Sequence, residues 1–144
     1  MAKVLIIYHS QSGNTEKMAK AIQEGAVSSG ATVTLKKAID AIADDMLDCD
    51  AVVFGTPNYF SYEAGMIKDF FDRTLFTLRG KVDDKPYATF GSAGGGGTQA
   101  LDSLEKLCNS LGLKKAFESV AAQREPSSEV LAECKGLGVK MALS

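Results

Sequence analysis

Solid apolar blocks of strand length alternate along this chain with stretches in which apolar residues return every three or four positions. Val4-Leu5-Ile6-Ile7-Tyr8 and Ala51-Val52-Val53-Phe54 are apolar at consecutive positions, as a parallel strand covered on both faces requires. Together with shorter Val-, Phe- and Ala-rich runs they predict strands over 3–8, 31–36, 51–55, 86–91 and 115–122. The intervening periodicity predicts helices: Met18, Ile22 and Ala26 in the first, Met66, Ile67, Phe70, Phe71 and Leu75 in the third, and the stripe Leu101, Leu104, Leu107, Cys108 and Leu111 in the fourth. A last helix follows Pro126 and Ser127 and should bury Val130, Leu131, Cys134 and Met141, while 40–48 reads as a short helix. Strands and helices in alternation predict an α/β fold, a doubly wound five-stranded parallel sheet in the order 2-1-3-4-5 with helices on both faces. In that order the chain reverses between strands 1 and 3, and a ligand belongs in the crevice at their carboxyl ends.

Three loops reach that edge, and none has ordinary loop composition. After strand 1, Ser10-Gln11-Ser12-Gly13-Asn14-Thr15 leads into a helix beginning near Glu16. A strand-to-helix junction points unpaired backbone N–H groups and the positive end of the helix dipole at one spot, and hydroxyls and amides surround it here. An anion such as phosphate fits, held by hydrogen bonds rather than ion pairs, because no Lys or Arg lies between residues 4 and 16. The bland alternative is a polar helix cap without a ligand. After strand 3 comes Gly55-Thr56-Pro57-Asn58-Tyr59-Phe60-Ser61-Tyr62-Glu63, with three aromatics in four positions. Tyr59 and Tyr62 suit stacking on a flat ring with their hydroxyls at a polar edge, whereas Phe60 could equally plug the following helix. After strand 4, Gly91-Ser92-Ala93-Gly94-Gly95-Gly96-Gly97 lacks side chains where a planar ligand could approach the backbone edge-on. A flexible hinge is the alternative.

The remaining features narrow the class. The chain has 144 residues, 45% of them hydrophobic, enough for one domain over 1–144 with a single core. A net charge of −2 favours neither nucleic acid nor an anionic membrane surface as partner. No targeting or membrane-spanning segment can be read, so a cytoplasmic location is expected. Cys49, Cys108 and Cys134 have neither disulfide nor zinc-ligand spacing, and no metal site is expected. His9, the single histidine, adjoins the first loop, where anchoring that loop is a simpler role than proton transfer.

A phosphate cradle, an aromatic shelf and a glycine strip on one edge match a mononucleotide with a large flat ring. On these residues the chain resembles the flavodoxin superfamily over essentially its whole length, with Ser10-Gln11-Ser12-Gly13-Asn14-Thr15-Glu16 similar to that family's phosphate signature. The segments Phe54-Gly55-Thr56-Pro57-Asn58-Tyr59-Phe60 and Phe90-Gly91-Ser92-Ala93-Gly94-Gly95-Gly96 look more like the tryptophan-repressor-binding-protein type of NAD(P)H:quinone oxidoreductase. The resemblance implies a flavodoxin-like fold and FMN as cofactor. It implies phosphate contacts from Ser10, Gln11, Ser12, Gly13, Asn14 and Thr15, and ring and ribityl contacts from Pro57, Asn58, Tyr59, Phe60, Ser61, Ser92, Ala93, Gly94, Gly95, Gly96 and Gly97. It names no side chain as an acid–base catalyst, since the flavin itself reacts. Two activities follow: a small electron carrier with a redox-protein partner, favoured by length, or an FMN-dependent oxidoreductase using NAD(P)H and a quinone. A phosphorylated receiver domain shares the fold but needs acidic residues where His9-Ser10 and Gly55-Thr56 stand. A Walker-type hydrolase needs a Gly-Lys-[Ser/Thr] motif that is absent.

Overall fold

The computed structural model describes residues 2–95 and 97–144. β1 (Lys3–Tyr8) pairs in parallel with β2 (Thr32–Lys37) on one side and with β3 (Ala51–Pro57) on the other. β4 (Pro86–Ala93) continues the sheet beyond β3, and the edge is made by β5 (Lys114–Lys115) and β6 (Val120–Gln123), both parallel to β4. The order is therefore β2-β1-β3-β4 with a divided fifth strand, as the pattern of the sequence predicts.

The division of that strand corrects the expected continuous run over 115–122. Between Lys115 and Val120 the edge takes five steps while β4 takes three, from Tyr87 to Phe90, so two residues are extra and the ladder is interrupted. The interruption is anchored at its start, where the Ala116 amide still donates to the Tyr87 carbonyl at 2.8 Å. Two strands also run further than expected. Pro57 is the last residue of β3 and Ser92 and Ala93 belong to β4, because the pairs Thr56 with Gly91 and Pro57 with Ser92 continue the ladder.

The helices α1 (Asn14–Ser28), α2 (Ala43–Asp48), α3 (Gly65–Leu78), α4 (Gln99–Ser110) and α5 (Ser128–Ala142) cover both faces. Alternate side chains of each central strand feed two cores. Val4, Ile6 and Val53 meet Met18, Ile22, Cys134 and Met141 of α1 and α5 on one face. Leu5, Ile7, Val52 and Phe54 meet Ile67, Phe70, Leu104 and Cys108 of α3 and α4 on the other. This is why Val4 to Tyr8 of β1 and Ala51 to Phe54 of β3 are apolar at consecutive positions. The short helix expected over 40–48 is a single 3-10 turn at Ala38–Asp40 followed by α2, whose amide at Ile42 is capped by the Asp45 carboxylate at 2.9 Å. Met66 stands at the exposed margin of α3 instead of in its buried stripe, and Val130 and Leu131 of α5 are only half-buried. Among the described residues no helix is long and apolar enough to cross a membrane.

Candidate functional site

The strand-1 loop turns into α1 at Gly13, whose φ of 96° is left-handed and suits glycine alone at low cost. The Ser10 hydroxyl closes the turn by accepting the Gly13 amide at 3.0 Å. The helix begins at Asn14, two residues earlier than expected, so Asn14 and Thr15 lie in its first turn, where amides have no partner within the helix. Thr15 is buried, and its hydroxyl is 2.9 Å from that of Ser92 at the end of β4. That bond ties the anion loop to the strand-4 loop across the sheet.

The strand-3 loop is a tight turn. Tyr59 and Tyr62 exchange backbone hydrogen bonds at 3.2 and 3.1 Å, and the two central residues, Phe60 and Ser61, have φ of 55° and 63°. These are the angles of a type I′ turn, built here from two non-glycine residues at a conformational cost. Its geometry throws Phe60 fully into solvent, at 104% relative exposure, so Phe60 plugs nothing. Tyr59 faces inward, half-buried, with its ring edge-on to His9 at 6.0 Å between centroids. Burial raises the Tyr59 pKa, opposed by a hydrogen bond from the Gln11 backbone, which joins this turn to the anion loop. Burial also lowers the pKa of His9, with Lys37 adding to the effect, and the His9 amide donates to the Gly55 carbonyl at 3.2 Å. The loop is therefore anchored at His9 through its backbone amide.

Asn58 joins the second and third loops. Its amide donates to the Ser92 carbonyl at 2.9 Å, and its side-chain Nδ2 donates to Gln99 Oε1 at 3.0 Å. The remaining atom, Asn58 Oδ1, is buried without a hydrogen-bond partner among the described residues. In the glycine strip, a Cβ on Gly94 or Gly95 would meet no protein atom within 4 Å, whereas one on Gly91 would sit 2.1 Å from the Thr56 carbonyl oxygen. Gly91 is thus required by the close approach of β3 and β4, and Gly94 and Gly95 leave open space beside the backbone. Gly97 has a left-handed φ of 96°. Gly96, also expected to contact a ligand, lies outside the described residues.

Gln11, Ser12, Asn14, Pro57, Asn58, Tyr59, Ser92, Ala93, Gly94 and Arg124 line one cavity of about 260 Å³ at the carboxyl ends of β1, β3 and β4. The three loops singled out in the sequence therefore converge, although Phe60 and Ser61 stand off this cavity at the tip of their turn and Ser10, Gly13, Thr15, Gly95 and Gly97 are not among its lining residues. A wider groove of about 530 Å³ between α1 and α5 has no comparable set of donors, and its lysines Lys17, Lys20 and Lys135 are each paired with a glutamate. Two participants went unnoticed in the sequence: Gln99 orients Asn58, and Arg124 lines the cavity from the loop after β6, while Glu63, 2% exposed behind the turn, stands off the cavity. The rule that ligands sit at strand carboxyl ends pointed to the loop holding Arg124, but nothing local marked that residue.

A family model described as Flavodoxin matches residues 6–137. The chain belongs to the flavodoxin family. A relative named "Flavodoxin" from Aquifex aeolicus is 41% identical over 98 residues, an alignment covering 67% of this chain and 53% of that protein, so the chain matches about half of the relative's length. Among solved structures, a flavodoxin from the domain Archaea superposes with a TM-score of 0.88 at 27% identity, covering 98% of this chain and 96% of the other. The two-electron reduced flavodoxin of Megasphaera elsdenii superposes with a TM-score of 0.83 at 29% identity, covering 98% and 99%. The sheet order and helical layers are those of the flavodoxin-like fold.

Proposed function

We propose that this member of the flavodoxin family binds FMN in the cavity at the ends of β1, β3 and β4 and works as an electron-transfer protein with a redox-protein partner. The observation that carries the reading is Asn58 Oδ1, a buried acceptor without a donor, set beside an anion-binding helix start and a backbone strip free of Cβ atoms. Leaving such an atom unpaired costs about 1–3 kcal/mol, and a ring N–H of the cofactor would satisfy it. When bound, FMN supplies the electron-accepting ring. The chain's own residues would do the holding: the amides of the first turn of α1 and the Ser10 and Ser12 hydroxyls would take the phosphate, Asn58 and Tyr59 would bound the ring side, and Ser92 to Gly95 would let it approach the backbone. The Thr15 hydroxyl is committed to Ser92 and supports the cradle from behind.

Titrating the flavin-free chain with FMN and following quenching of flavin fluorescence tests this. Ser12→Ala and Asn58→Leu should each weaken binding by about 1 kcal/mol or more, as expected for a lost hydrogen bond to a charged or buried polar group. Failure to bind FMN, or unchanged affinity in both variants, would remove the assignment. Fast turnover with NADH or NADPH and a quinone under anaerobic conditions would replace the carrier role with that of an oxidoreductase.

A further inference from the structure

We propose that Arg124 supplies the positive charge that the anion loop lacks, acting as counter-charge to the phosphate end of the flavin. The inference rests on the FMN reading above and adds a specificity: for the phosphorylated flavin over the bare one. Arg124 follows β6 directly and is the charged residue among those lining the cavity, which it shares with Gln11, Ser12 and Asn14 of the anion loop. Its backbone is fixed in the left-handed region at φ 58°, with its amide donating to the Ala93 carbonyl at 2.8 Å. The guanidinium is anchored as well, Nε donating to the Gly94 carbonyl at 2.9 Å.

That anchoring leaves the two terminal nitrogens and their four N–H groups without a hydrogen bond to the described residues. No carboxylate neutralises them. The adjacent Glu125 is taken by Lys17 at 2.8 Å, and Arg124 itself makes no ion pair among the described residues. A guanidinium held by one nitrogen, with the others free and a cavity of amides and hydroxyls beside it, is arranged to bind an oxyanion through charge-assisted bonds. Gln11, Ser12 and Asn14 bring hydrogen bonds to that anion but no charge, so the arginine completes the site from the opposite strand edge.

A second role, bracing the glycine strip through Gly94, would affect any flavin alike, and this separates the two by experiment. The flavin-free chain, Arg124→Gln and Arg124→Lys are titrated with FMN and with riboflavin at low and high salt. We expect Arg124→Gln to bind FMN roughly tenfold more weakly and to lose most of the salt dependence, while riboflavin affinity changes less than about twofold. Arg124→Lys should keep the salt dependence. Unchanged FMN affinity in Arg124→Gln, or equal losses for FMN and riboflavin, overturns the counter-charge role. A native chain that binds neither flavin overturns the proposed function itself, an outcome distinct from both.

Discussion

A carboxyl group buried with neither oxygen in a well-formed hydrogen bond is destabilising when ionised, and among the described residues Glu63 is in that position at 2% exposure. Burial pushes its pKa above the ordinary value of 4.5, and weak bonding from its own backbone and from Tyr62, with the charge of Lys68, only partly offsets the shift. The folded state then binds more protons than the unfolded state between 4.5 and the raised value, so stability falls as pH rises through that window. Glu63→Gln should abolish that slope, which urea unfolding at a series of pH values from 4.5 upward will show; an unaltered slope would mean that Glu63 is already paired. The same residue shows what a sequence conceals at this scale. Glu63 reads as the ordinary polar end of a loop, because its burial comes from α4, where Ser103 Oγ accepts the Glu63 amide at 3.2 Å from forty positions away. Asn58 and Thr15 were legible as polar loop residues, yet their pairing with Gln99 and Ser92 depends on contacts that only the assembled sheet edge creates.

Between elements, α1 and α5 approach one another closely. A Cβ on Gly25 would lie 2.0 Å from the Lys135 carbonyl oxygen, and one on Gly138 would lie 2.1 Å from that of Ile22. The helices meet backbone to backbone because each offers a glycine to the other. Gly138→Ala should therefore destabilise the fold by about 1–3 kcal/mol, the usual cost of overpacking, measured as a lower urea midpoint with an unchanged slope. Periodicity could not reveal this, since glycines in a helical pattern read as weak points rather than as contacts. Strands and helices themselves were legible because β1 and β3 are buried on both faces and α4 carries a strict stripe. The fifth strand was misread as continuous because Ala116 and Phe117 carry apolar composition past Lys115 towards Val120, and register is not written in composition. Likewise 40–48 could not show its break at Ala41 and Ile42, where Arg73 holds the Ala41 carbonyl from α3.

For the molecule as a whole, the two cores absorb all three thiols. Cys49 and Cys134 are pushed up to about 11 and about 12 by burial, and Cys108, fully enclosed, is raised as well. A thiol reagent at pH 8 should leave the native chain unmodified and label all three cysteines in denaturant, and rapid labelling without denaturant would mean that a core opens locally. The sheet order and its ligand-bearing edge were readable from the alternation of blocks, because topology in such folds follows from handedness rules more than from side-chain detail.

The contact between α1 and α5 carries one more consequence, for the order of events during synthesis. The helix whose start forms the anion loop is also the helix that needs Gly138 and Met141 to complete its packing. While α5 is still within the ribosome, α1 has one flank exposed and the loop before it rests on an unfinished support. Such a long separation along the chain slows folding and leaves apolar surface uncovered meanwhile. The anion loop thus leans on a contact supplied by a distant part of the chain, and its support is complete only once α5 has folded against α1.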